Sequence, residues 1–139
     1  MGIVIDTSAL IELERSEARE SYPACHFRDS PVYVPTIVWA ELSAGVHLAD
    51  TPRRALKRRA RLDRLRQNWE FLDFNTETAE TWAELFATLQ KAGTPIPSND
   101  LIVAATALHY GHRILVSSKD ESHFRQVPGL NVITLNNIR

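Results

Sequence analysis

Ile3-Val4-Ile5-Asp6-Thr7-Ser8-Ala9-Leu10 opens the chain with an uninterrupted apolar triplet that runs straight into a carboxylate. Three consecutive β-branched residues without alternation read as a strand buried on both faces, the kind found in parallel sheets. Asp6 then falls just past the strand's carboxyl end, where open parallel sheets place their ligand sites. The pattern returns at Ile114-Leu115-Val116, with Asp120 following a few residues later.

Outward from that stretch the elements alternate. The strand over Gly2 to Ile5 leads into helical sequence from Ser8 to Arg28, then a short strand at Val32-Tyr33-Val34 closed by Pro35. A helix from Thr36 to near Leu48 follows. Asp50-Thr51-Pro52 supplies a stop, a fresh N-cap and a proline at the first helical position, opening an arginine-rich helix. Beyond a short strand at Phe71-Leu72, Thr76 can cap a helix through Ala92 with Trp82, Leu85, Phe86 and Leu89 inward, ended by Gly93. The rigid loop Thr94-Pro95-Ile96-Pro97 leads to Ser98 as the next cap. The helix from Asn99 to Tyr110 is apolar nearly all round, as suits an element packed on a sheet, and Gly111 stops it before the strand Arg113 to Val116. A last strand covers Asn131 to Leu135, after a turn at Pro128-Gly129. Strands alternating with helices predict an α/β architecture with a mainly parallel sheet.

Two further acids lie on helices. Glu41 shares a face with Val38, Leu42 and Gly45, and Asp100 shares one with Val103, Ala104 and Ala107, so both are expected to point inward. Taken alone, Asp100 can complement a helix N-terminus and Asp120 can be an ordinary loop residue. Asp6 and Glu41 resist that explanation, because acids on apolar elements are rarely buried without a partner. Converging carboxylates lose hydration and repel, which raises their pKa values unless a cation compensates. Magnesium or manganese takes oxygen ligands and leaves positions for water and phosphate, so the quartet Asp6, Glu41, Asp100 and Asp120 points to metal-assisted phosphodiester hydrolysis.

The 139 residues, 44% hydrophobic, suit one domain with a real core. No apolar stretch reaches membrane-spanning length, and an acid at position 6 interrupts the N-terminus too early for a signal peptide, so a soluble cytoplasmic protein is expected. Cys25 is the single cysteine, which excludes an intrachain disulfide and reads as a packing residue. The net charge of -1 hides an asymmetry. Arg53, Arg54, Lys57, Arg58, Arg59, Arg61, Arg64 and Arg66 supply half of the 16 basic residues against Asp63 alone, while Ala55, Leu62, Leu65 and Trp69 give the same helix a core side. Such a stripe is either a solvated face paired with acids elsewhere or a phosphate-gripping surface, for which Arg53, Arg54, Arg58 and Arg61 are the candidates.

Ile3 to Leu10, Ala40-Glu41-Leu42, Asn99 to Ala105 and Phe124 to Leu130, in this order and spacing across essentially the whole chain, resemble the PIN-domain nucleases, and among them the VapC toxins. The resemblance implies a three-layer α/β/α fold over residues 1–139 and a magnesium- or manganese-dependent ribonuclease acting on RNA. It also implies a homodimer, and a cognate antitoxin whose C-terminal segment crosses the active site. Asp6, Glu41 and Asp100 match the family's metal-binding acids. Thr7 or Ser8 matches the small polar residue supporting the first aspartate, and Asn99 accompanies Asp100. Asp120 is the fourth acid, with Glu121 or a supporting Ser118 as alternatives, and His123 stands where many relatives carry an acid or polar residue.

Other readings are weaker. A haloacid-dehalogenase-like phosphatase also begins strand-Asp but needs a second aspartate two positions on, where Ser8 stands. His109 and His112 straddle a helix end, where histidine serves terminal carbonyls, and no third ligand completes a zinc pattern with them in sequence. Of the tryptophans, only Trp39 lies beside the acidic face and merits a test for base stacking. A non-catalytic RNA- or partner-binding module of the same fold would keep the arginine helix but has no use for four acids.

Overall fold

The computed structural model describes residues 1–17, 26–27 and 30–135. Its strands are β1 (Ile3–Ile5), β2 (His26–Phe27), β3 (Ser30–Pro35), β4 (Glu70–Leu72), β5 (Arg113–Val116) and β6 (Val132–Thr134). The helices are α1 (Thr7–Glu17), α2 (Thr36–His47), α3 (Pro52–Asn68), α4 (Thr76–Lys91), α5 (Ser98–Tyr110) and α6 (Glu121–Arg125). Five strands form a parallel sheet in the order β4-β3-β1-β5-β6, with the two-residue β2 antiparallel against the start of β3. All three β1 residues and Ile114, Leu115 and Val116 of β5 are buried whichever way the pleat turns them. Helices therefore cover both faces, and the α/β/α layering expected from the family resemblance is what the chain adopts.

The connectivity positions the site. From β1 the chain steps outward to β3 and β4, then returns across the sheet to β5 and β6 on the other side of β1. The strand order thus reverses at β1 and β5, which opens a crevice beyond their carboxyl ends. Register fixes the crevice walls, since Ile5 pairs with Leu115 and the Asp6 amide donates to the Leu115 carbonyl at 3.1 Å.

α5 seals the sheet next to this crevice. Its Leu101, Val103, Ala104, Ala105, Thr106 and Ala107 are buried, and Thr106 turns its hydroxyl back to the Ile102 carbonyl at 2.8 Å, so the one polar residue in that stretch costs little. Gly111 ends the helix in the left-handed conformation at φ 73°, which a side chain would strain. At the other end of β1, Gly2 is required by space: a Cβ there would stand 2.5 Å from the Tyr33 ring.

Several local expectations change. The first helix begins at Thr7 and is helical through Glu17, but His26–Phe27 form β2 rather than more helix, because their backbone pairs with Ser30 and Pro31. Residues 18–25, with Cys25, and 28–29 lie outside the described residues. The α4 cap is Asn75, not Thr76; its Oδ1 accepts from both the Thr78 amide and hydroxyl. Ser98 does not cap α5, which starts at Ser98 after Pro97 without a side-chain cap. Thr51 does cap α3, accepting from the Arg54 amide at 3.2 Å. Leu85 and Leu89 are buried on α4 as expected, but Phe86 is exposed and stacks on Trp82 at 5.1 Å. Leu62, Leu65 and Trp69 anchor α3 in the core, and the last strand is shorter than expected, Val132–Thr134.

Candidate active site

Four elements deliver the acids to the crevice. β1 ends into Asp6, and the turn into α1 lets the Ala9 amide donate to Asp6 Oδ1 at 2.8 Å, fixing the carboxylate. α2 carries Glu41, α5 carries Asp100 in its first turn, and the loop after β5 carries Asp120. Their mutual proximity is legible at Asp6, whose side chain is buried. Burial pushes its carboxyl from an ordinary 3.8 up to about 7, the Ala9 hydrogen bond opposes the rise, and the charges of Asp120, Asp100 and Glu41 add to it. The charges of the other three acids thus all reach Asp6, while the ligand atoms within 4.8 Å of one another come from Asp100, Asp120 and His123.

They are not equivalent. Asp6 is the buried floor, Asp100 and Asp120 are half-buried walls, and Glu41 is exposed at the rim. The inward orientation expected for Glu41 does not hold, for the residue is exposed. Thr7 Oγ1 donates to Glu41 Oε1 at 2.9 Å, tying the rim acid back to the end of β1. The Ser8 hydroxyl donates to Asp120 Oδ2. Thr7 and Ser8, candidates for supporting Asp6, thus hold Glu41 and Asp120 instead, one each.

The place of His123 in this corner comes from α6, a short helix with too little periodicity to read from sequence. α6 places His123 Nδ1 2.9 Å from Asp100 Oδ2. Burial raises the Asp100 pKa, the hydrogen bond from His123 lowers it, the Asp120 charge raises it and the charge of His123 lowers it. Asn99 and Ser118, named as supporting residues, are exposed. Next to Ser118, Ser117 is buried; its backbone carbonyl accepts from the Asp120 amide at 3.1 Å, and its Oγ has no hydrogen-bond partner among the described residues. Glu121, the alternative fourth acid, pairs with Arg125 at 3.3 Å.

The donor set fits a small divalent cation. Asp100, Asp120 and His123 each offer a ligand atom within 4.8 Å of the others. Among the described residues no lysine or arginine forms an ion pair with Asp6, Glu41, Asp100 or Asp120. A charge-starved pocket with carboxylates pushed upward in pKa is what a cation relieves.

The other candidate residues lie elsewhere. Arg54 donates from Nη1 to both carboxylate oxygens of Asp50 at 2.8 and 2.9 Å, Arg58 donates to the Gly45 carbonyl of α2, and Arg66 lies over the Trp39 ring at 5.6 Å. Arg53, Lys57 and Arg64 face solvent, and Arg61 is half-buried. Trp39 meets Phe71 edge to face at 5.6 Å and so belongs to packing. His112 does not serve the α5 carbonyls: its Nδ1 accepts from the Gly2 amide at 3.0 Å and its ring stacks on Tyr33, with burial and then the N-terminal charge lowering its pKa.

The family model of the PIN domain matches residues 3–130. Ribonuclease VapC1 of Rickettsia felis is 30% identical over 135 residues, covering 97% of both chains. Ribonuclease VapC4 of Mycobacterium tuberculosis is 32% identical over 130 residues, covering 94% of both. The crystal structure of DNA-bound VapBC from Salmonella typhimurium has a similar fold, with a TM-score of 0.75 at 22% identity over 96% of this chain and 98% of that one.

Proposed function

This chain belongs to the PIN-domain family, and on that premise we propose that it is a divalent-metal-dependent ribonuclease, the toxin of a toxin-antitoxin pair. One observation carries the reading: a buried Asp6 whose carboxyl is driven to about 7 by burial and by three neighbouring acids drawn from other elements. Relatives named ribonuclease VapC supply the substrate class, RNA, and the VapBC likeness supports an antitoxin partner. A homodimer working in the cytoplasm completes the proposal.

Asp6, Asp100 and Asp120 would hold magnesium or manganese, with Glu41 at the rim. Such an ion supplies charge neutralisation at the attacked phosphate and acidifies water. The chain's own residues do the rest. Ala9 and Ser8 lock the Asp6 and Asp120 carboxylates, so the charged oxygens are fixed before substrate arrives. Thr7 holds Oε1 of the exposed Glu41, which would serve as the base that orients a water and takes its proton. The exposed α3 side chains Arg53, Lys57 and Arg64, with Arg54, Arg58 and Arg61 beside them, offer cations to the phosphate backbone, and α3 reaches α2 through Arg58, one helical turn beyond Glu41.

Incubation of the purified protein with an RNA pool tests the activity. Cleavage should stop in EDTA and return with magnesium or manganese; salt-sensitive RNA binding with no metal-dependent cleavage would mean a binding module instead. Thr7→Val, which keeps the shape but frees Glu41, should slow cleavage about 10-fold with stability nearly unchanged, as outer supports of metal sites do. Undiminished turnover in that variant would remove Thr7 from the machinery.

A further inference from the structure

α6 adds a nitrogen to the carboxylate oxygens of this pocket. His123 Nδ1 and Asp100 Oδ2 stand 2.9 Å apart, and a carboxylate oxygen of Asp120 completes a trio of donors within 4.8 Å of one another. Two donors bound side by side on one octahedral ion, each at roughly 2.1 Å, sit about 3 Å from each other. The imidazole and the Asp100 carboxylate are already at that spacing, and the ring is half-buried, so an ion can reach it from the crevice. Ser8 donates to Oδ2 of Asp120 and so steadies the carboxylate that supplies the third donor.

We propose that His123 is a ligand of the metal in this pocket, and that its nitrogen makes the pocket select Mn2+ over Mg2+. The inference rests on the pocket being a cation site, as proposed above. Magnesium is hard, keeps its waters and favours oxygen, whereas imidazole suits transition-metal ions. A site of acids alone discriminates poorly between the two; exchanging one oxygen for an imidazole nitrogen tilts it toward manganese. Asp100 then gives up its hydrogen bond from His123 and both side chains turn the same atoms to the ion.

Calorimetric titration of the purified chain with Mn2+ and with Mg2+, and electron spin echo modulation of the Mn2+-loaded protein, decide it. Wild type should bind Mn2+ more tightly than Mg2+ and show modulation from a directly coordinated nitrogen. In His123→Asn, which keeps a hydrogen-bond donor for Asp100, the nitrogen signal should vanish, Mn2+ affinity should fall about 10-fold or more, and Mg2+ affinity should change by less than about threefold. Manganese binding without a nitrogen signal, or with selectivity unchanged in the variant, overturns the role of His123 and leaves the cation pocket standing. Failure of wild type to bind either ion overturns both. Should His123→Asn fail to fold, the spin echo experiment on wild type still decides.

Discussion

Asp6→Asn should cost about 100- to 1,000-fold in cleavage rate, the loss seen when one pre-organised electrostatic contact to developing charge is removed, while making the metal-free protein more stable. The two effects have one cause. Asn Oδ1 can keep the hydrogen bond from the Ala9 amide, so the turn into α1 survives. What disappears is a negative charge that burial and the charges of Asp120, Asp100 and Glu41 oppose. A carboxyl moved from 3.8 to about 7 corresponds to roughly 4 kcal/mol at 1.36 kcal/mol per pH unit, so denaturant unfolding at pH 8 in chelator should show a gain on that order. A purely structural aspartate would behave oppositely, losing stability on substitution. Retained turnover would contradict the ligand role outright.

The second large effect is the pH dependence of the metal-free protein. Below 3.8 Asp6 is protonated in both folded and unfolded chains and contributes no slope. Between 3.8 and about 7 the unfolded chain releases that proton while the folded chain keeps it, so stability falls as pH rises through this window and levels off above it. Asp100, also raised by burial, acts in the same direction. Unfolding free energies of wild type and Asp6→Asn should therefore diverge from pH 4 to pH 8 by a total on the order of 4 kcal/mol, and saturating divalent ion should close the gap at the upper end by binding only the folded wild type. Parallel profiles for the two proteins would mean that Asp6 is an ordinary, well-solvated acid.

Much of this site was legible because the relevant signals are local. A β-branched triplet that ends in aspartate announces both a buried strand and a carboxylate at its carboxyl end, and Asp6 stands where that reading put it. The strand and helix order followed from apolar runs and from Gly111, Thr51 and Pro52, whose chemistry admits few alternatives. What escaped was decided by neighbours distant in sequence. Glu41 shares a helical face with the buried Val38, yet it is exposed and held by Thr7, a contact across 34 residues that helical periodicity does not encode. Asn75 outcompetes Thr76 as a cap because both can accept the bond and only backbone geometry chooses. Ser117 and Ser118 are one step apart, and the exit path of β5 alone decides which is buried. His123 meets Asp100 across 23 residues through a five-residue helix, a contact no periodicity encodes.

Anomalous-difference density from crystals of the chain grown with Mn2+ bears most directly on the acidic crevice. A peak bounded by Asp6, Asp100 and Asp120, with Glu41 at its edge, is the expected result. Well-ordered crystals at saturating manganese with no peak among those carboxylates, or with the ion bound elsewhere, would contradict the cation pocket on which the proposed chemistry depends.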